Sequence, residues 1–320
     1  MNSFLRNIKR QINILKGFPV IIAIEPTNYC NLNCPLCPAH HDYLNSSINF
    51  GYMKLENFKL MIDQVKGFVH NVSLSFRGEP FLHKNLADMV RYCTENKVFS
   101  FVNTNGTQLN DDNIKSVLDA GIGRINISLD GLSQDTYSKY RKGGSFKKVY
   151  SSIKKITEMR KERGNSAKPE VIVQFMILKH NLDEIKYLPG LKKDLGVDKI
   201  SINRPSIPSW IINDPETERK LKKQFIPEAG DSRYSANTIQ VPKKRCGAVN
   251  RLVVTWDGDA YICHFDNNGI YKFGNFFKGE TFNEVWFSPK NRRLRKLIRK
   301  KELDLCKICG QSLAYKASYL

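Results

Sequence analysis

The sequence has no long apolar segment. Its longest apolar run, VIIAI at 20–24, is far shorter than the roughly 18–20 residues that a membrane-spanning helix needs. The first residues also lack the apolar core and cleavage site of a secretory signal, so we expect a cytoplasmic protein without a transmembrane segment. Disulfides are rare in that compartment, and the eight cysteines are therefore expected to be metal ligands or free thiols.

Acidic residues are scarce relative to basic ones. The chain of 320 residues has 51 Lys and Arg against 31 Asp and Glu, which gives a net charge of +20. This excess is spread along the whole chain instead of forming one stripe, so a nucleic-acid partner is not expected. A general positive charge weakly favours anionic partners, including an anionic small-molecule substrate.

Strand-like and helix-like segments alternate over the first two thirds of the chain. The predicted strands are 19–25, 71–76, 99–104, 124–129, 170–178 and 198–203. The predicted helices between them are 54–67, 84–97, 111–120, 146–163 and 182–194. Six such β–α steps predict a parallel sheet with right-handed crossovers, and six are too few to close an eight-fold barrel. We therefore predict an α/β fold, a partial (β/α)6 TIM-like barrel.

Four parts of the chain are predicted from its patterning. They are an N-terminal amphipathic helix over 1–17, the barrel over 18–205, a proline-punctuated linker or lid over 206–240, and a small domain over 241–320. The first helix either packs on the barrel or lies on a membrane surface. The basic helix near 282–301 either packs on the small domain or binds phosphate, peptide or nucleic acid.

The stretch EPTNYCNLNCPLCP places Cys30, Cys34 and Cys37 on a tight loop just after the first strand. Three thiolates on a cubic [4Fe–4S] cluster leave one iron without a protein ligand, and that iron can bind another molecule. Zinc is the alternative, but it needs a fourth ligand, which His40 or His41 could provide.

The Cx3Cx2C spacing after a first strand resembles the signature of radical S-adenosylmethionine enzymes. SFRGEP (75–80), NTNG (103–106), ISLDG (127–131) and YRKGG (140–144) resemble motifs of the same superfamily in the same order. Arg77 stands where the first glycine of the GGEP motif is usual. The resemblance implies that the open iron binds the amino and carboxylate groups of S-adenosyl-L-methionine. It also implies cofactor contacts by Leu36, Arg77, Gly78, Glu79, Asn105, Ser128 and Arg141.

A second set of cysteines, Cys246, Cys263, Cys306 and Cys309, could hold a structural zinc or a fully ligated [4Fe–4S] cluster. The segment between them, over 274–300, resembles that of SPASM and twitch domains, which carry auxiliary clusters. No cysteine follows Cys309, so the resemblance implies a twitch-like domain with one cluster. The cysteine spacing is similar to that of dehydrogenases of the 2-deoxy-scyllo-inosamine type. Cys93 is expected to be a core thiol of a helix.

The resemblance implies an enzyme that forms a 5′-deoxyadenosyl radical and abstracts hydrogen from a substrate. It would oxidise or epimerise a sugar, a cyclitol or another small metabolite, with a reducing flavodoxin or ferredoxin as partner. The alternatives are a modifier of a ribosomal precursor peptide, acting as an epimerase or crosslinking enzyme, and a non-enzymatic iron–sulfur protein for electron transfer or nucleic-acid binding.

Overall fold

The computed structural model describes residues 11–13, 15–37, 39, 49–164, 168–205, 214–227, 246–307, 309 and 318–319. Most of the predicted N-terminal helix, His40, His41 and most of the predicted linker lie outside the described residues. No helix within the described ranges is both long and apolar enough to cross a bilayer.

Ten strands form one sheet. They are β1 (Ile21–Ile24), β2 (Asn71–Ser73), β3 (Phe99–Thr104), β4 (Arg124–Ser128), β5 (Glu170–Met176), β6 (Lys199–Asn203), β7 (Arg251–Val254), β8 (Asp259–Tyr261), β9 (Lys272–Asn275) and β10 (Ser318–Tyr319). Their spatial order is β10-β6-β5-β4-β3-β2-β1-β7-β8-β9. Strands β1 to β6 are parallel neighbours in sequence order, which confirms the predicted α/β partial barrel.

The α-helices cover the outer face of this sheet and complete the small domain. They are α1 (Leu55–Val65), α2 (Leu86–Glu95), α3 (Asp111–Asp119), α4 (Gln134–Tyr140), α5 (Phe146–Glu162), α6 (Leu188–Leu195), α7 (Pro215–Phe225), α8 (Phe282–Trp286), α9 (Pro289–Lys300) and α10 (Asp304–Lys307). Short 3-10 helices lie at Pro80–Leu82, Leu182–Tyr187 and Gly247–Asn250.

Alternation along the strands separates two faces of the sheet. Val102 of β3, Ile127 of β4 and Val173 of β5 are fully buried in the apolar core. Their neighbours on the other face, such as Asn103 and Asn126, are polar. Because side chains alternate along a strand, the helix-covered side is apolar and the inner side of the partial barrel carries hydrogen-bonding groups.

Some elements differ from the sequence predictions. Helix α7 lies within the segment predicted as linker or lid, and Asp214 caps it by accepting a hydrogen bond from the Thr217 N–H. The single basic helix predicted over 282–301 is two helices, α8 and α9. The break follows from Ser288 and Pro289, since Ser288 caps α9 and a proline is favoured in a first helical turn.

Candidate active site

The cysteine loop follows β1 at the carboxyl edge of the parallel strands. The Cys37 N–H donates to the Cys34 carbonyl at 3.0 Å, which folds the loop into a turn. The Asn33 N–H donates to the Lys142 carbonyl at 3.0 Å and so ties the loop to the YRKGG segment. Active sites of parallel α/β sheets form at this edge, and the loop therefore lies where a cofactor is expected.

Burial dominates the chemistry of the three thiols. It raises the pKa of Cys30 to about 11 and that of Cys37 to about 12, and it raises the pKa of Cys34 as well. Repulsion among the three thiolates adds to the rise in the pKa of Cys37, so the sulfurs are close enough to interact. Such thiols stay protonated at neutral pH unless a cationic group replaces their protons, as metal binding does.

Two side chains point N–H donors at these sulfurs. Asn105 Nδ2 lies 3.8 Å from Cys30 Sγ, and Arg141 Nη1 lies 3.8 Å from Cys34 Sγ. Asn105 is held in place because its Oδ1 accepts hydrogen bonds from the N–H and the hydroxyl of Thr107, at 2.9 and 2.6 Å. Donors of this kind stabilise the negative charge that a thiolate carries on a metal cluster.

The GEP turn packs directly against the cysteine loop. A Cβ on Gly78 would lie 2.3 Å from the Thr27 carbonyl oxygen and 2.5 Å from that of Tyr29, so only glycine fits there. The next residue, Glu79, donates its N–H to the same Tyr29 carbonyl at 2.7 Å. The sequence motif therefore has a structural cause, which is close backbone approach to the residues that precede Cys30.

Glu79 is a buried carboxylate with a complete set of donors. It accepts hydrogen bonds from Thr104 Oγ1 at 2.7 Å, from the Asn105 N–H at 2.7 Å and from the Phe81 N–H at 3.1 Å. Burial raises its pKa in spite of these donors. The side chain thus ties the GEP turn to the NTNG segment after β3, so that two of the predicted motifs form one unit.

Arg77, which replaces the first glycine of the motif, is buried with Glu25 at the end of β1. Arg77 Nε and Nη2 lie 2.9 and 3.2 Å from the two carboxylate oxygens of Glu25. The main-chain N–H of Arg77 also donates to Glu25, at 3.2 Å, and Nη1 donates to the Asn267 carbonyl at 3.5 Å. Arg77 therefore joins the barrel to the segment that follows Cys263. Glu25 was not among the predicted site residues, although a carboxylate between an apolar strand and Pro26 is a signal for a buried, paired charge.

Arg141 is held by Asp130. Its Nε donates to Asp130 Oδ2 at 2.6 Å, while Asp130 Oδ1 accepts the Met176 N–H at 2.7 Å. Asp130 is 1% exposed, so this carboxylate needs such partners. Asp130 belongs to the ISLDG motif, in which only Ser128 was a predicted site residue. Ser128 itself ends β4 and is partly buried on the inner face.

Leu36 lies in a small apolar cluster over the cysteine loop. The cluster includes Leu32, Cys34, Tyr140, Leu178, Leu221, Phe225 and Ile226. Helix α7 supplies Leu221 and Phe225, and the Lys179 N–H donates to the Phe225 carbonyl at 3.0 Å. A helix in the segment predicted as linker or lid thus covers the loop and excludes water from it.

The inner face of the partial barrel carries neutral hydrogen-bonding side chains. Asn103 of β3 is opposite Asn126 of β4, and Asn126 Nδ2 donates to Asn103 Oδ1 at 2.9 Å. Gln174 of β5 is in register with Ser128 of β4 and with Ser201 of β6. Asn103, Ser128 and Gln174 are only partly buried, so this layer is open to a ligand.

The second set of cysteines converges in the small domain. Burial is the main cause that raises the pKa of Cys263 to about 12, and the charges of Cys309, Cys246 and Cys306 contribute to this rise. The Phe265 N–H donates to Cys263 Sγ at 3.4 Å, and the Cys309 N–H donates to the Cys306 carbonyl at 3.4 Å. The other three cysteines therefore lie close enough to Cys263 for their charges to act on its thiol, and their role as cluster ligands stays a prediction. Cys93 lies apart from both sets, in the apolar core.

Within the described ranges, no three His, Cys, Asp or Glu side chains are placed to hold a single metal ion. The thiols of each set nevertheless influence one another's pKa.

Strand β7 connects the two sites. It pairs in parallel with β1, with Ile22 opposite Leu252 and Ile24 opposite Val254. The cysteine loop leaves the end of β1, and Cys263 follows β8, the antiparallel neighbour of β7. Arg77 donates to the Asn267 carbonyl and Phe76 packs edge-on against His264, so the segment that follows Cys263 contacts the residues after β2.

Known proteins share this arrangement. Residues 24–188 match the Radical SAM superfamily, and residues 246–310 match SPASM, an iron–sulfur cluster-binding domain. The chain is 28% identical over 179 residues to an AdoMet-dependent heme synthase of Methanosarcina barkeri (strain Fusaro / DSM 804), a match that covers 56% of this chain. The chain spans about half, 48%, of the length of that relative.

Two solved structures show the same fold. BtrN in complex with AdoMet and 2-DOIA has a TM-score of 0.57 and 19% identity, over 91% of this chain and 92% of that one. Streptococcus suis SuiB bound to S-adenosylmethionine has a TM-score of 0.65 and 16% identity, over 96% and 76%. The cofactors of the Radical SAM and SPASM domains of this chain are [4Fe–4S] clusters and S-adenosylmethionine. Since the Radical SAM match takes up more than half of its length, the chain belongs to the Radical SAM superfamily and carries a SPASM domain.

Proposed function

We propose that this Radical SAM enzyme oxidises or epimerises a small neutral polyhydroxylated metabolite, such as a sugar or cyclitol. In this proposal Cys30, Cys34 and Cys37 hold the first [4Fe–4S] cluster and leave one iron open for S-adenosylmethionine. When bound, these groups supply a 5′-deoxyadenosyl radical that removes a hydrogen atom from the substrate.

The residues of the chain bind and shield this chemistry. Arg141, fixed by Asp130, presents its remaining N–H groups to the carboxylate of S-adenosylmethionine. Leu36 and the apolar cluster beneath α7 exclude water from the cysteine loop. Gly78, Glu79, Asn105 and Ser128 line the carboxyl edge of the neighbouring strands, where the rest of the cofactor would bind.

The proposal of a polyol substrate rests on the neutral polar side chains of the inner face. Its hydroxyl and amide groups are those of Asn103, Asn126, Gln174, Ser201 and Asn203. Such groups both donate and accept hydrogen bonds, as sugar hydroxyls do. The charged side chains that β4, β5 and β6 place on this face are paired, since Arg124 and Lys199 both bind Glu170, and Arg77 beside it binds Glu25. A neutral polyol is therefore a better match than the anionic substrate that net charge alone favours.

The SPASM domain would complete an oxidation. With Cys246, Cys263, Cys306 and Cys309 as ligands, every iron of the auxiliary cluster has a thiolate, so the substrate has no coordination site there. A cluster of this kind would accept one electron from the substrate radical that hydrogen abstraction forms, and the radical would lose a proton to solvent to give the oxidised product. BtrN, solved with AdoMet and 2-DOIA, supports a small-molecule substrate for this fold.

A peptide is the second candidate substrate. SuiB has also been solved bound to the precursor peptide SuiA, with a TM-score of 0.65 to this chain. The present chain covers 76% of SuiB and 92% of BtrN, and both likenesses are of fold.

The test is substrate-dependent cleavage of S-adenosylmethionine. The anaerobically reconstituted protein would be mixed with deuterated cyclitols and sugars, and in parallel with deuterated synthetic precursor peptides. We expect deuterium in 5′-deoxyadenosine only with the polyols, and its loss in Gln174→Leu, with S-adenosylmethionine affinity unchanged. Deuterium transfer from a peptide alone would replace the first candidate by the second.

A further inference from the structure

Helix α9 presents a continuous positive surface. Its exposed cations are Lys290, Arg292, Arg293, Lys296, Arg299 and Lys300. Arg292, Lys296 and Arg299 follow one another at spacings of four and three residues, which aligns them on one side of the helix. No acidic residue occurs between Pro289 and Lys300.

We call this surface the α9 basic face. Its positive charges have almost no acidic partners among the described residues. Lys300 lies 3.6 Å from Glu302. None of the other five cations has an ion pair with any residue that the structure describes. Cations elsewhere, such as Lys154 with Asp194 and Lys199 with Glu170, do have acidic partners. The face is therefore available to an external anion.

The opposite side of α9 is fixed to the auxiliary site. Buried Arg295 donates to the Val249 carbonyl at 3.1 Å and to the Gly17 carbonyl at 3.1 Å, and it stacks over Trp286. Val249 lies three residues after Cys246, and α9 leads into α10, which contains Cys306. Helix α9 thus connects the α9 basic face with the segments that carry Cys246 and Cys306.

We propose that the α9 basic face docks an acidic electron-carrier protein that exchanges single electrons with the auxiliary cluster. The inference rests on the proposed function, because it needs a cluster on Cys246, Cys263, Cys306 and Cys309. In each step one redox centre loses an electron and the other gains it, and no bond forms or breaks. After a substrate oxidation, the same contact returns the accepted electron to the carrier.

Position distinguishes this partner from a nucleic acid. A nucleic acid would need only positive charge. The α9 basic face also lies on the SPASM domain, which binds a redox-active iron–sulfur cluster, and an electron carrier needs both features. Complementary charge also accelerates association by roughly 10- to 1,000-fold at low ionic strength, which matters most for transient encounters such as those of electron carriers.

The experiment is stopped-flow reduction of the holoenzyme by reduced flavodoxin, an acidic flavoprotein. The test variant is Arg292→Glu with Arg293→Glu and Lys296→Glu. The matched control carries the same charge change on exposed barrel helices, in Lys115→Glu, Lys147→Glu and Lys193→Glu. We expect the bimolecular rate constant of the test variant to fall at least tenfold at low salt, and the difference to vanish at high salt.

Two controls are included, reduction by dithionite and binding of a single-stranded RNA probe. Reduction by dithionite should be equal in all three proteins, and product formation with dithionite tests the proposed function separately. Equal flavodoxin rates in the test and control variants would overturn the docking proposal. The proposal would also be overturned if the test variant lost binding to a single-stranded RNA probe while its reduction by flavodoxin was unchanged. That result would assign the α9 basic face to nucleic acid.

Discussion

Arg141 and Asp130 form a buried ion pair in which Arg141 Nε lies 2.6 Å from Asp130 Oδ2. The pair leaves Nη1 of Arg141 directed at Cys34 Sγ, at 3.8 Å. Asp130 in turn accepts the Met176 N–H of β5. One carboxylate thus sets the orientation of a guanidinium that faces both the cysteine loop and the space beside it.

Arg141→Ala should weaken S-adenosylmethionine binding by roughly 1.5–3 kcal/mol, the usual contribution of a hydrogen bond to a charged group. Binding would be measured by equilibrium dialysis on the reconstituted protein. Both clusters should survive, as iron analysis would show. Unchanged affinity would mean that the side chain does not contact the cofactor.

The same residue should influence the first cluster. Because an N–H donor stabilises the reduced, more negative state, Arg141→Leu and Asn105→Leu should each lower the reduction potential of that cluster. The measurement is a redox titration followed by electron paramagnetic resonance. The auxiliary cluster serves as an internal control, and a shift in its potential instead would contradict the assignment.

Gly78→Ala tests the contact between the GEP turn and the cysteine loop. The added methyl group would overlap the Thr27 and Tyr29 carbonyls, at 2.3 and 2.5 Å, and backbone would have to move. We expect iron content to fall towards half as the first cluster is lost. Gly67→Ala is the matched control, because a Cβ there meets no atom within 4 Å. Equal iron in both variants would contradict the packing argument.

Glu79→Gln places an amide among three donors that need an acceptor. One donor loses its partner, so the free energy of unfolding should fall by about 1–3 kcal/mol. Urea denaturation of the cluster-free protein would give this value. Glu95→Gln, at an exposed position of α2, is the control and should change stability little. If the two variants were equally stable, the carboxylate would not have the structural role that its hydrogen bonds indicate.

The sequence predicted what depends on local pattern. The strands at 71–73 and 99–104 follow from the pattern of neighbouring residues, and so does the cysteine loop after β1. Contacts between distant segments were not predictable in this way. Arg77 binds Glu25, which is 52 residues away in the sequence, and β7 pairs with β1 across more than 200 residues. No local pattern in these segments indicates which distant residues they contact.

Helix α7 shows a different limit. Its segment has a low apolar content and follows a proline-rich stretch, so no helical stripe was evident in it. The helix is stabilised by the Asp214 cap and by burial of Leu221 and Phe225 over the cysteine loop. Tertiary packing, which the sequence alone does not reveal, decides such an element.

The auxiliary cluster should be needed for product but not for cofactor cleavage. Cys306→Ala with Cys309→Ala should still form 5′-deoxyadenosine, while oxidised product is lost because no acceptor takes the substrate electron. Chromatography of both products, with a check by circular dichroism that the variant is folded, separates this role from a purely structural one. Oxidised product at the normal rate from a folded variant would refute electron acceptance.

Iron content and cofactor cleavage, measured together in the wild type and in Cys30→Ala with Cys34→Ala and Cys37→Ala, test the central claim most directly. Each [4Fe–4S] cluster holds four irons, so the wild type with two clusters should hold about eight irons and the variant, which lacks the three-cysteine site, about four. The variant should also form no 5′-deoxyadenosine. A variant that still cleaves S-adenosylmethionine, or wild-type protein with stoichiometric zinc and little iron, would contradict the account.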